Sequence, residues 1–167
     1  MSVEKVKTLD EISGRVGDYG SRRLRVVLTN GCFDVLHVGH VRYLEAARGL
    51  GDSLVIGLNT DASVRLLKGP QRPIFSQDER AEMLAALGCV NFVVLFDENT
   101  AERLVSLLQP DIYVKGADYA PESGKELSEA EIVRAYGGRV ELIPLVENRS
   151  TTAIVERILS EKEVAAL

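Results

Sequence analysis

The sequence predicts a single α/β domain built on a doubly wound, parallel five-stranded sheet. Two observations lead there. Short β-rich runs alternate with longer amphipathic segments, without an internal repeat, a low-complexity tract or an interdomain linker. The length, 167 residues, suits one compact domain burying roughly 70% of the surface its unfolded chain exposes. Strands separated by helices pair in parallel, because a parallel crossover needs a dozen or more residues and is almost always right-handed.

A lead-in at residues 1–24 carries a helix over Thr8–Val16. Strands are predicted at Arg25–Thr29, Ser53–Leu58, Asn91–Leu95, Asp111–Val114 and Arg139–Ile143, within a main domain spanning residues 25–160. The helix Val38–Leu50 is expected to close at Gly51 in the left-handed conformation. Ser76 with Glu79, and Ser128 with Glu131, read as capping boxes. Residues 161–167 form a tail. Apolar runs such as RVVLT and FVVLF are only strand-length, and MSVEKVKTLDE holds no signal or membrane span, so a cytoplasmic protein without membrane partners is expected. Twenty basic against twenty-five acidic residues give a net charge of −5, which supplies no field for nucleic acid. Cys32 and Cys89 form no disulfide framework.

In such sheets ligands bind beyond the C-terminal strand ends, where the winding reverses. There the loop TNGCFDVLHVGH, Thr29 to His40, holds both histidines of the chain. A random pair falls at this spacing in about 1% of placements. His37 and His40 at a helix start share one face near free backbone N–H groups, and Gly39 lets a ligand approach the backbone, which is anion-binding geometry. The alternative is zinc held by Cys32, Asp34, His37 and His40, although i,i+3 is a poorer spacing for it than i,i+4.

Further along, LKGPQRPIFSQDER places Lys68, Arg72 and Arg80 where they can neutralise a polyphosphate, or serve as ordinary solvated charges. Ser150, Thr151 and Thr152 open the helix that continues as AIVERIL; Ser150 is its natural N-cap, and its free amides can cradle phosphate. PDIYVKGADY delivers Lys115, Gly116 and Asp118 to the edge the histidines occupy. Asp61 either reaches a sugar phosphate or caps a helix.

TNGCFDVLHVGH resembles the (T/G)-x-F-D-x-x-H-x-G-H element of nucleotidyltransferases related to cytidylyltransferases, and the likeness runs from about Val26 to Leu159. NTDASVRLLKGPQRPIFSQDERAEML, PDIYVKGADY and STTAIVERI resemble the D-glycero-β-D-manno-heptose 1-phosphate adenylyltransferases within that superfamily. The resemblance implies a Rossmann-like fold and transfer of AMP from ATP to a sugar 1-phosphate. Catalytic roles fall on His37, His40 and Lys68, and nucleotide contacts on Thr29, Asn30, Gly31, Phe33, Asp34, Gly39, Lys115, Gly116, Asp118, Ser150, Thr151 and Thr152. Substrate contacts fall on Asp61, Arg72 and Arg80. Cytidylyltransferases carry an Arg-Thr pair before the last helix, whereas this chain has Leu145-Val146 there, with Arg149 as the candidate replacement for that arginine. Mg²⁺ is expected to arrive with ATP, without a protein metal site, and a sugar kinase is expected as a separate protein. A homodimer stays open. The competing classes are a cytidylyltransferase acting on glycerol 3-phosphate or a related alcohol phosphate, a zinc-dependent hydrolase, and a non-catalytic nucleotide-binding module.

Overall fold

A computed structural model describes residues 2–22, 24–124, 127–144 and 150–165. Strands β1 (Val6–Lys7), β2 (Val26–Gly31), β3 (Ser53–Asn59), β4 (Phe92–Phe96), β5 (Ile112–Gly116) and β6 (Arg139–Ile143) form one parallel sheet in the order β1-β4-β3-β2-β5-β6. The sheet thus has six strands rather than the predicted five. The addition, β1, lies in the lead-in and pairs Val6 with Val93 and Lys7 with Val94. Two residues are too few to show a period.

Seven α-helices and three short 3-10 turns complete the described fold: α1 (Leu9–Ser21), α2 (Val38–Arg48), α3 (Asp61–Lys68), α4 (Gln77–Ala86), α5 (Glu102–Leu108), α6 (Glu129–Ala135) and α7 (Thr151–Ala165). None of the described helices is long and apolar enough to cross a membrane. On one face, Leu44 and Ala47 of α2 and Ala81, Leu84 and Ala85 of α4 pack with Val27, Leu54, Ile56 and Val93. On the other, Ile12 of α1, Leu104, Val105 and Leu108 of α5 and Val133 of α6 cover Val26, Leu28, Val55 and Tyr113. Every residue of β3 is buried, as expected of a strand covered on both faces.

The winding runs from β2 through β3 to β4 in one direction and from β5 to β6 in the other. Because β2 pairs with both β3 and β5, the reversal lies between β2 and β5, and the crevice opens beyond their C-terminal ends.

The Ser76 capping box forms, with the Ser76 side chain accepting from the Glu79 amide and Glu79 Oε2 accepting from the Ser76 amide at 2.9 Å. Two expected helix ends differ. Ser128 makes no cap hydrogen bond because its backbone is already right-handed helical (φ −58°, ψ −31°), whereas a capping hydroxyl needs an extended backbone to reach the first-turn amides. Helix α2 stops at Arg48, and Gly51 is not left-handed. Gly51 is instead a close approach to β2: a Cβ there would lie 2.6 Å from Val27 Cγ2 and 2.9 Å from the Arg25 carbonyl oxygen.

Gly57, mid-β3, is tighter still, since a Cβ would meet Leu104 Cδ2 at 2.4 Å and Asn30 Cβ at 3.1 Å. Gly57→Ala is expected to destabilise the protein by about 1–3 kcal/mol through overpacking. Urea unfolding checks it; an unchanged midpoint would show that Leu104 yields freely.

Candidate active site

The loop joining β2 to α2 is strained and held. Phe33 (φ 45°) and Val35 (φ 50°) both adopt left-handed backbone, a conformation especially costly for a β-branched valine. Asp34, between them, is the anchor. Its carboxylate accepts from Arg72 Nη1 at 2.8 Å, the Ile74 amide at 2.9 Å and the Phe75 amide at 3.3 Å, while its backbone carbonyl accepts the Thr151 hydroxyl at 2.7 Å. Burial pulls the Asp34 pKa upward, but the Arg72 hydrogen bond, the two amides and the Arg72 charge outweigh it and hold the group below the usual carboxylate value.

His37 is the N-cap of α2, its Nδ1 accepting from the Gly39 amide at 3.1 Å. With Nδ1 acting as acceptor, the ring proton sits on Nε2 as a donor. The His37 and His40 rings stack with centroids 3.9 Å apart and planes inclined 26°; Phe33 meets His40 edge-on at 5.4 Å. Burial, reinforced by His37 and Lys68, pushes His40 down to about 4, so the ligand-free site holds a neutral imidazole at neutral pH and not the protonated one that a phosphate neighbour would favour. Nitrogen lone pairs lie in the ring planes, so two near-parallel stacked rings do not aim them at one point; with Asp34 already committed, this is poor geometry for the zinc set.

A group whose pKa falls on folding binds fewer protons in the native than in the unfolded state, so stability rises with pH between the two values. His40 is expected to withdraw up to roughly 3 kcal/mol as pH falls from about 6.5 to about 4. Asp34, shifted downward from 3.8, adds its own loss as pH falls further. Urea midpoints from pH 4 to 8 check this; a His40→Gln variant that kept the wild-type slope would remove His40 as its source.

A cavity of about 600 Å³ opens at the crevice. The structure brings His37, Gly39 and His40 together there with Asn30, Gly31, Phe33, Lys68, Lys115, Gly116 and Asp118, and with Ser150, Thr151 and Thr152 at the start of α7. Ser150 Oγ accepts from the Ala153 amide at 3.1 Å as the expected N-cap. Lys115 Nζ donates to Asn30 Oδ1 at 3.3 Å and lies 4.5 Å from the Tyr119 ring centroid. Arg149 lies outside the described residues.

Five residues expected at a ligand are not among those lining the cavity. Thr29 is fully buried and bonded to Tyr43 Oη at 2.8 Å. Tyr43 in turn donates to the Val114 carbonyl at 3.2 Å, so Thr29 joins sheet to helix. Asp34 and Arg72 hold each other. Arg80, expected at a phosphate, is 0% exposed. Its guanidinium donates to the carbonyls of Phe75 (3.1 Å), Cys32 (2.6 Å) and Asn59 (2.9 Å) and to Asp61 Oδ1 (2.8 Å). Asp61 is thereby engaged as well.

Sequence reasoning missed Asn59, Asn99, Thr100 and Glu129 in the cavity wall. Asn59 directly follows the predicted strand Ser53–Leu58, and Asn99 and Thr100 come shortly after the predicted strand Asn91–Leu95, so position just past a strand end was the available signal. Cys32 also lines the wall; burial raises its pKa, which keeps the thiol protonated and a weak nucleophile.

A family model described as cytidylyltransferase-like matches residues 28–157. The chain belongs to the cytidylyltransferase-like family. This cytidylyltransferase-like nucleotidyltransferase is 56% identical over 159 residues to the bifunctional protein HldE of Citrifermentans bemidjiense, covering 95% of this chain and 32% of that protein. Against the bifunctional protein HldE of Syntrophotalea carbinolica the identity is 62% over 140 residues, covering 83% and 28%. The chain spans about a third of the length of these curated relatives. Among solved structures, the lipopolysaccharide core biosynthesis protein from Thermoplasma volcanium GSS1 superposes with a TM-score of 0.59 at 28% identity, covering 75% of this chain and 99% of that one.

Proposed function

We propose that this nucleotidyltransferase is an adenylyltransferase joining AMP from ATP to D-glycero-β-D-manno-heptose 1-phosphate, with ADP-heptose and pyrophosphate as products. The observation that carries the reading is the convergence of His37, His40, Lys68 and the starts of α2 and α7 on one cavity at the winding reversal. Similarity to the bifunctional HldE proteins and to a lipopolysaccharide core biosynthesis protein supports the sugar, alongside the resemblance of PDIYVKGADY. A sugar kinase supplies the acceptor in this reading.

A phosphate oxygen of the acceptor attacks the α-phosphorus of ATP, the bond to the bridging oxygen breaks, and its electron pair leaves with pyrophosphate. Positioning and charge stabilisation supply most of such a reaction's acceleration. His37 Nε2–H and neutral His40 each offer a hydrogen bond to developing phosphate charge. Free amides at the start of α7, with its dipole, hold the triphosphate, and Lys68 adds a mobile cation. Mg²⁺ bound through the ATP phosphates would neutralise charge; Asp118 and Glu129 are the carboxylates lining the cavity, and Glu129 is engaged by the Ala101 amide.

The test is kcat/KM for ATP and CTP with the heptose 1-phosphate, glycerol 3-phosphate and phosphocholine in parallel, read by pyrophosphate release. ATP with the heptose 1-phosphate is expected to lead, because a site that hydrogen-bonds one base leaves buried polar groups unpaired with another. A lead for CTP with glycerol 3-phosphate would overturn the substrate and leave the family standing.

A further inference from the structure

The cavity straddles the sheet edge, and its parts differ in chemistry. On the face covered by α2 and α4 lie the histidine pair and Lys68, with the cradle of α7 tied to that loop through Thr151 and Asp34. On the face covered by α5 and α6, the wall is made by Asn99 and Thr100, just before α5, and Ser128 and Glu129, at the start of α6. Those four residues supply an amide, two hydroxyls and a carboxylate, without a cation. Glu129 is 5% exposed and held in place, its Oε1 accepting from the Ala101 amide at 2.7 Å. A carboxylate is an acceptor only and repels phosphate, so a nearly buried one in a ligand cavity selects for neutral donors. A polyol presents vicinal hydroxyls of that kind.

We propose that Asn99, Thr100, Ser128 and Glu129 form the subsite that reads the hydroxyl groups of the acceptor sugar. The acceptor phosphate is then directed to Lys68 and the histidines, where the cations and donors are. This rests on the reading of the chain as a sugar 1-phosphate adenylyltransferase and adds the residues that select the sugar. The division of labour follows from charge. The lobe with the histidines, Lys68 and the α7 cradle takes the anionic groups of both substrates, and the lobe with the Glu129 carboxylate takes the uncharged part of one.

Glu129→Gln keeps the size of the side chain and an oxygen for the Ala101 amide, but removes the charge that strengthens hydrogen bonds from hydroxyls. Its KM for D-glycero-β-D-manno-heptose 1-phosphate is expected to rise about tenfold while the KM for ATP stays within about twofold. Asn99→Ala, which removes an exposed loop side chain without touching the Ala101 contact, is expected to give the same split to a smaller degree. ATP-induced thermal stabilisation of each variant confirms a folded nucleotide site. Equal changes in both KM values, or none in either, would overturn the subsite even while the wild type makes ADP-heptose. A wild type that consumes ATP with none of the sugar 1-phosphates overturns the function reading, and the subsite with it.

Discussion

Replacing His37 or His40 with alanine is expected to lower kcat by about 10²–10⁴-fold, because each ring's hydrogen bond strengthens as phosphate charge develops. The two variants should differ in stability. His37 caps α2 through Nδ1, so its loss also costs about 1 kcal/mol of helix capping. His40 instead packs between His37 and Phe33, and its removal leaves a gap beside a strained loop. Single-turnover pyrophosphate release separates chemistry from binding. Wild-type chemistry in either variant would take that histidine out of the reaction.

Arg80→Leu is expected to destabilise the protein by about 3–5 kcal/mol, the range found when one partner of a buried ion pair is removed. The substitution strips donors from three backbone carbonyls and from Asp61. Activity should fall with stability, since the Cys32 carbonyl belongs to the loop that carries the histidines. Arg80→Lys retains the charge but cannot reproduce four directed bonds from a planar fork, so rescue should be partial. Denaturant midpoints and kcat of both variants provide the check; full stability in Arg80→Leu would mean that the carbonyls find water.

Arg80 also shows where sequence and structure part. Three cations within thirteen residues suggested a common role, yet Arg80 lies on the face of α4 with Ala81, Leu84 and Ala85, the buried positions of that helix. The i, i+1, i+4, i+5 spacing was present in the sequence; charge pointed to solvent and masked it. The histidine motif and the Ser150 helix start were legible because their chemistry is local, within a turn or two of chain. Asp34 was legible as a residue of importance but not in its role, since its partners at 72, 74, 75 and 151 are set by packing. The five main strands could be read from β-rich runs, whereas β1 is a strand only because β4 lies beside it.

The hydroxyl bond from Thr151 to the Asp34 carbonyl spans 117 positions of sequence. None of the side chains described in helix α7, residues 151–160, is buried. Local opening of such a segment takes far less free energy than global unfolding. In the proposed reading, a nucleotide seated on its first turn would act as a splint, with part of its binding free energy going into suppressing that opening. Amide hydrogen exchange along α7 should slow sharply when ATP binds while the exchange of β3 barely changes, so this helix reports occupancy of a site that the sheet itself does not sense.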